Sequence, residues 1–305
     1  DFMSIILISN TSDNVINSSL IDFISEEIKK INKADIYFKE LSTNKAYECF
    51  LPPDELSYQL SKFINKLKIQ YKLDINLIDS KNIRKKKLLL ADMDSTIIKE
   101  ESLDELAKLI GKEKEIVQIT KNAMEGKIDF KKALFKRVSM LKGVSFDILN
   151  KLKTNVEINE GASELINTMK HNGAITVLVS GGFTFLTNYL KDKLGFDFVH
   201  ANYLQYFTDE TGEMLLNGKV SEPILDKEAK LRYLNKYLSD YNLTYYDTIC
   251  VGDGANDIDM IVKSGMGISF NGKRALKDVA DLHFEHTNLL GLLYAQGYSD
   301  SEIIY

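Results

Sequence analysis

The sequence predicts an α/β protein: a parallel sheet interrupted by an inserted block of helices and preceded by a small β-α-β-β-α-β module. Two patterns carry this prediction. Residues 88–91, 175–179 and 248–251 are short apolar runs that each end in small or acidic residues, with helical sequence between them, as buried parallel strands joined by right-handed crossovers require. Ahead of residue 80 the segments alternate strand-like with helix-like periodicity. At 305 residues, 44% apolar and 27% charged, the chain has the length and balance of one large or two ordinary globular domains, which excludes disordered, fibrous and low-complexity classes.

In chain order, residues 5–8, 34–40, 45–50 and 73–78 read as strands, and 19–31 and 54–68 as helices. The second helix follows Pro52 and Pro53, with Asp54 at the N-cap position and Leu56, Leu60, Phe63 and Leu67 on one face. Residues 80–87, with Arg84, Lys85, Lys86 and Lys87, read as a solvated charged connection. From residue 88 the strands of a Rossmann-like parallel sheet begin. Residues 102–154 carry helical periodicity and no strand signal. There Ser102 and Glu105 make a capping-box pattern, Leu103, Leu106, Ala107 and Ile110 recur at helical spacing, and Gly111 stops the first helix. Lying between the first and second core strands, this block reads as an inserted helical cap. Thr-Gly and Asn-Gly turn signals in residues 202–220 predict short β excursions, and residues 289–294 a closing helix. The expected division is residues 1–80 as the N-terminal module, 81–101 with 155–305 as the core, and 102–154 as the cap.

The formal charge is −5, from 39 basic and 44 acidic residues, so no global basic field exists to hold a nucleic-acid backbone or an anionic membrane surface. Neither partner is expected. No stretch approaches the roughly 20 apolar residues that span a bilayer, and the apolar run near the start lacks the length and basic flank of a secretion signal. Because Met3 follows Asp1 and Phe2, the first two residues read as an added scar. Cys49 and Cys250 lie far apart with no C-x-x-C pattern and read as reduced core residues of a cytoplasmic protein. His283 and His286 have no cysteine beside them, so zinc is not supported.

The chemistry gathers at strand ends. Asp92 and Asp94 follow directly on residues 88–91, and side chains two apart in extended chain point the same way, toward the sheet edge where open α/β folds bind ligands. Two carboxylates so placed serve a metal, a shared proton or a solvated turn. Ser180-Gly181-Gly182 follows residues 175–179 and offers a hydroxyl and unencumbered N–H groups ahead of a helix, which suits an anion site or a simple turn. Gly252-Asp253-Gly254-Ala255-Asn256-Asp257 follows residues 248–251 with further carboxylates and an amide, and Lys230 lies between in helical sequence where a lone lysine would ordinarily be solvated. The order acid, hydroxyl, ammonium, acid is more specific than any one member. Phosphate loops of the forms G-x-x-x-x-G-K-[ST] and G-x-G-x-x-G do not occur, which disfavours kinase and dehydrogenase readings.

Asp92-Met93-Asp94-Ser95-Thr96, Ser180-Gly181-Gly182, Lys230 and Gly252-Asp253-Gly254-Ala255-Asn256-Asp257 resemble the four motifs of the haloacid dehalogenase superfamily. Glu101, Met124-Glu125-Gly126, Phe130 and Lys136-Arg137-Val138 resemble the cap signature of its phosphoserine phosphatases. The resemblance spans residues 88 to about 285, and many such phosphatases carry ACT-like modules ahead of the core. It implies a Mg²⁺-dependent phosphatase that converts O-phospho-L-serine to L-serine and phosphate through an aspartyl-phosphate, the last step of serine biosynthesis. Asp92 would be the nucleophile and Asp94 the general acid and base. Asp92, the backbone carbonyl of Asp94, and Asp253 would bind Mg²⁺, with Asp257 supporting them. Ser180, the Gly181 N–H, Lys230 and Asn256 would hold the phosphoryl group. Arg137 would clamp the substrate carboxylate, Glu101 would pair with its ammonium, and Met124 and Phe130 would close over it. The alternative is a phosphatase or phosphotransferase for another small phosphomonoester such as phosphohomoserine. A different class of role gives the N-terminal module amino-acid sensing or assembly, with a homodimer formed through it. A dehalogenase is disfavoured because that chemistry does not use the second acid, Asp94.

Overall fold

Strand β1 (Ser4–Ser9) is apolar on both faces and therefore needs cover on each side. The computed structural model, which describes residues 4–32, 36–52, 56–79, 83–125 and 127–305, supplies it. After β1 come α1 (Ser18–Ile31), β2 (Tyr37–Ser42), β3 (Ala46–Leu51), α2 (Tyr58–Gln70) and β4 (Asp74–Asp79), forming an antiparallel sheet of order β2-β3-β1-β4. Ile6 and Ile8 pack against Ile24, Ile28, Leu60 and Ile64 of the two helices. Ile5 and Leu7 face the opposite way, into the larger core with Leu292 and Tyr294. At about 1.5–3 kcal/mol for each buried aliphatic side chain, this second face binds the small sheet to the rest of the protein.

Some expectations in this region change. Asp54 falls at residues 53–55, outside the described residues, and α2 starts at Tyr58 with Ser57 as its N-cap, the hydroxyl accepting from the Leu60 N–H. Leu56 precedes the helix and is 40% exposed, so the buried face is Leu60, Ile64 and Leu67. The basic connection is solvated only in part, through Lys85 and Lys87. Lys86 is buried, and its ammonium donates to the carbonyls of Ile83 at 2.6 Å and Tyr246 at 2.7 Å. Arg84 pairs with Glu48 on β3 and donates to the Ala295 carbonyl at 3.1 Å, so one guanidinium links the small sheet to the chain's last segment. The Glu48 side chain is 1% exposed, and a buried carboxylate stripped of its cation costs about 3–5 kcal/mol. Arg84→Ala is therefore expected to lower stability by about 3 kcal/mol in urea denaturation; an unchanged midpoint would contradict this structural role.

The second sheet begins with β5 (Leu88–Ala91), followed by a turn at Met93–Ile97. Four helices come next: α3 (Ser102–Leu109), α4 (Glu113–Met124), α5 (Phe130–Ser139) and α6 (Phe146–Asn155). The chain continues through α7 (Ala162–His171), β6 (Ile175–Phe183), α8 (Thr184–Leu194), β7 (Phe198–Asn202), β8 (Leu204–Thr208), β9 (Met214–Val220) and α9 (Lys227–Asp240). It ends with β10 (Thr248–Gly252), α10 (Ile258–Lys263), β11 (Met266–Phe270), α11 (Arg274–Lys277), β12 (Leu282–Phe284) and α12 (Gly291–Ala295). The larger sheet is parallel throughout, in the order β12-β11-β10-β5-β6-β7. Its central strands β5, β6 and β10 therefore end side by side at one edge, bringing together sequence motifs far apart in the chain.

Where the helical block leaves and rejoins the sheet, Ile98 pairs antiparallel with Ile158, and the Asn159 N–H donates to the Ile97 carbonyl at 2.8 Å. The antiparallel β8–β9 hairpin joins the helices rather than either sheet. Leu216 exchanges backbone hydrogen bonds with Gly143 and Val144, and packs with Leu134, Val138 and Leu141. The Thr211-Gly212 signal marks its turn, whereas Asn217-Gly218 lies inside β9. There Gly218 takes φ +81°, beside a register shift toward β8. Cys49 and Cys250 are free and buried, and burial pushes both thiols up to about 12. Among the described residues no helix is long and apolar enough to cross a membrane.

Candidate active site

Asp92 directly follows β5. Its N–H donates to the Val251 carbonyl at 3.0 Å, which holds it level with the end of β10. Its Oδ1 accepts from the Met93 N–H and from Lys230 Nζ, both at 2.9 Å. Lys230, fully buried on α9, also donates to Asp257 Oδ1 at 2.7 Å. Burial alone would discharge this ammonium, but the Asp257 and Asp92 charges outweigh it and raise its pKa, so it stays cationic. The other Asp257 oxygen accepts the N–H groups of Asp253 (3.1 Å) and Gly254 (3.3 Å). Gly252 permits this approach, because a Cβ there would collide with the Asp257 carboxyl group.

Asp92, Asp253 and Asp257 bring carboxylate oxygens within 4.8 Å of one another, all buried. Burial, with the charges of Asp92 and Asp257, pushes the Asp253 carboxyl up to about 10. One lysine among three such groups leaves an excess of negative charge, and a hard, oxygen-seeking cation fits this donor set. The Asp257 oxygens are already taken by Lys230 and by two amides, so its part is to support the others.

Asp94 stands two residues along the same loop, which Ser95 turns by adopting φ +55°. Its carboxyl is held well above the usual range by burial first and then by the Glu101 and Asp92 charges, while the Ser102 hydroxyl pulls the other way. Ser102 Oγ donates to Asp94 Oδ2 at 3.0 Å. The expected capping box is absent: the N-cap of α3 is Glu101, without a side-chain bond, and the Ser102 hydroxyl goes to Asp94 instead. Glu101 accepts from Ser95 Oγ at 2.8 Å.

Ser180 ends the regular part of β6, and its Oγ accepts from the Gly182 N–H at 2.9 Å. A Cβ placed on Gly181 would lie 3.8 Å from Asn256 Nδ2 and 3.9 Å from Phe130 Cζ, so the motif after β6, the motif after β10 and the start of α5 meet here. Asn202, which sequence reasoning missed, donates to the Gly181 carbonyl at 2.9 Å and accepts from the Leu225 N–H at 2.8 Å. It ties the loop after Ser180 to the lead-in of α9.

Arg137, on α5, is one of the basic residues that line the cavity over the site, with Lys131, Lys227 and Lys273. Its Nε donates to the Ala133 carbonyl at 3.2 Å and its Nη1 to Thr120 Oγ1 at 3.1 Å. Burial lowers its pKa, opposed by the charges of Asp104, Glu101 and Asp94. Asp104 and Thr120 were also missed, although Asp104 lies three residues beyond Glu101, on the same helical side. A cavity of about 990 Å³ opens over this ground, lined by Asp94, Glu101, Phe130, Arg137, Ser180 and Asn256 among others. Phe130 is 37% exposed in it. Met124 lies on α4, but its side chain, like Gly126, is outside the described residues.

A parallel α/β sheet with buried acids, a lysine and a hydroxyl converging at its carboxyl edge defines a hydrolase-type centre. Residues 89–261 match the family model of haloacid dehalogenase-like hydrolases. The chain belongs to that family, among the phosphoserine phosphatases, a group of phosphoric monoester hydrolases. It is 41% identical over 210 residues to the phosphoserine phosphatase of Methanocaldococcus jannaschii, a match spanning 69% of this chain and 97% of that one. With the phosphoserine phosphatase of Saccharomyces cerevisiae it shares 32% identity over 93% of each chain. With that of Archaeoglobus fulgidus it shares 40%, over 68% of this chain but only 59% of the relative's length. Among solved structures, a haloacid dehalogenase family hydrolase of Salmonella enterica matches 96% of this chain and 98% of its own, with a TM-score of 0.83 at 27% identity. A phospho-aspartyl intermediate analogue of a phosphoserine phosphatase matches 69% of this chain and 98% of its own, with a TM-score of 0.62 at 41% identity.

Proposed function

We propose that the protein hydrolyses O-phospho-L-serine to L-serine and phosphate, with Asp92 as the nucleophile that becomes phosphorylated and Asp94 as the acid and base. The observation that carries this reading is the Lys230 ammonium, buried between Asp92 and Asp257 at hydrogen-bonding distance. It holds the Asp92 carboxylate in place at the sheet edge, while burial and then the Glu101 and Asp92 charges push Asp94, two residues on, toward its protonated form. A nucleophilic carboxylate and a carboxylic acid are what displacement at a phosphate monoester requires.

Bringing a carboxylate to a phosphate dianion costs roughly 4 kcal/mol per unit-charge pair at about 4 Å and an effective dielectric near 20. Asp92, Asp253 and the Asp94 backbone carbonyl would hold Mg²⁺, backed by Asp257, and the ion when bound supplies the positive charge that offsets this repulsion. Lys230, Ser180, the Gly181 N–H and Asn256 hold the phosphoryl oxygens. As Asp92 bonds to phosphorus, Asp94 protonates the departing seryl oxygen. It then takes a proton from the water that cleaves the aspartyl-phosphate. Arg137 receives the substrate carboxylate and Glu101 its ammonium, while Phe130 closes over the cavity and excludes water.

In the same reading, residues 102–154 form the cap, 81–101 with 155–305 the core, and 1–80 an ACT-like module through which two chains pair. The two reduced, buried thiols accord with a cytoplasmic enzyme. The test is phosphate release from L-phosphoserine and from phosphoethanolamine, which lacks the carboxylate, with Mg²⁺ and with a chelator. Mg²⁺-dependent preference for phosphoserine is expected. Arg137→Ala is expected to raise KM for phosphoserine about 10- to 100-fold and to leave phosphoethanolamine within about twofold. An unchanged phosphoserine KM would remove Arg137 from carboxylate recognition.

A further inference from the structure

Asp94 Oδ1 is a buried oxygen with no hydrogen-bond partner among the described residues, whereas Oδ2 accepts from Ser102 Oγ at 3.0 Å. Ser102 is 1% exposed and is the first residue of α3, yet its hydroxyl caps nothing on that helix. It is confined from the other side as well. A Cβ on Gly182 would stand 3.4 Å from Ser102 Oγ and 3.0 Å from Ser180 Oγ, so the hydroxyl is wedged between the Asp94 loop and the motif after β6. The Ser102 N–H adds a weaker contact to the same carboxyl.

We propose that Ser102 is a positioning residue for catalysis: by donating to Oδ2 it fixes the plane of the Asp94 carboxyl and selects Oδ1 as the oxygen that carries and delivers the proton. The reason is the hydrogen-bond inventory of a carboxylic acid. An oxygen that accepts the Ser102 hydrogen bond serves as the carbonyl oxygen, so the acid proton belongs on its partner. The inference rests on the role given above to Asp94. In the step concerned, an Asp92 oxygen bonds to phosphorus while the bond from phosphorus to the seryl oxygen breaks. The bonding pair passes to the seryl oxygen, which takes the proton from Asp94 Oδ1, and Asp94 is left as a carboxylate. Ser102 opens α3, so the placement of the acid and the seating of the helical block are joined through one hydroxyl.

The test compares kcat/KM, which reports the phosphorylation step, for L-phosphoserine and for p-nitrophenyl phosphate, whose phenolate leaves without needing a proton and for which the cavity of about 990 Å³ has room. Ser102→Ala is expected to lose about 10-fold on phosphoserine and less than about twofold on the aryl ester, with Ser102→Thr restoring most of the loss. Ser102→Cys fills the same space with a poor donor and carries the same expectation should the alanine variant fail to fold. Asp94→Asn, run in parallel, is expected to show the same leaving-group selectivity, but larger. If Asp94→Asn is selective and the folded Ser102 variants lose equally on both substrates, or lose nothing, the positioning role is overturned while the acid assignment stands. If Asp94→Asn itself shows no selectivity, the acid assignment fails and the inference with it.

Discussion

Asp92→Asn is expected to lower turnover of phosphoserine by on the order of 10⁴-fold or more while leaving the fold in place. The two halves of that expectation have separate causes. An amide oxygen is too weak a nucleophile to form the phosphoenzyme, so the chemical step is lost. The same oxygen still accepts hydrogen bonds, so it can keep the contacts that Asp92 Oδ1 makes with the Met93 N–H and Lys230 Nζ. Lys230 also retains Asp257. Circular dichroism should match the parent and phosphate release should vanish; substantial release from a folded variant would take Asp92 out of the mechanism.

Lys230→Met is expected to damage stability and activity together. It removes one buried cation from between Asp92 and Asp257 and leaves both carboxylates, a change that costs about 3–5 kcal/mol when the pair is well buried. The loss should depend on pH in a definite direction. Burial and the Asp92 charge already push the Asp257 carboxyl up to about 6, against about 4 in the unfolded chain, and loss of the ammonium removes the charge that opposes them. Such groups leave stability intact below the unfolded value and withdraw it as pH rises through the folded value. The gap between variant and parent in urea denaturation should therefore be widest at neutral pH and should narrow on acidification toward about pH 4. Turnover should fall by about 100-fold or more, since the cation also faces the phosphoryl group. A gap that does not vary with pH would mean that the lysine is not balancing these acids.

The parallel core and its acidic edge were legible because each signal is local. Leu88–Ala91 is an unbroken apolar run with Asp92 at its end, and nothing but a buried strand suits it. The small module was legible from alternation, though the start of α2 moved because Ser57, not a residue beside the prolines, provides the cap. What escaped depends on tertiary partners. Ser102 matched a capping box by spacing, but α3 takes Glu101 as its N-cap, so Ser102 is the first helical residue and its hydroxyl donates to Asp94. Arg84 and Lys86 looked like solvated charges because their partners, Glu48 and the Tyr246 carbonyl, are remote in sequence. Asn202 carries no local signal, since its importance lies in joining Gly181 to Leu225 across two loops.

The central claim is that the Asp92 carboxylate is itself phosphorylated during turnover. The direct measurement is acid quenching of the enzyme with ³²P-labelled L-phosphoserine and Mg²⁺, followed by peptide mapping. The account predicts acid-stable label on the peptide containing Asp92. Label on any other residue, or steady turnover with no labelled enzyme trapped at any quench time, would contradict it.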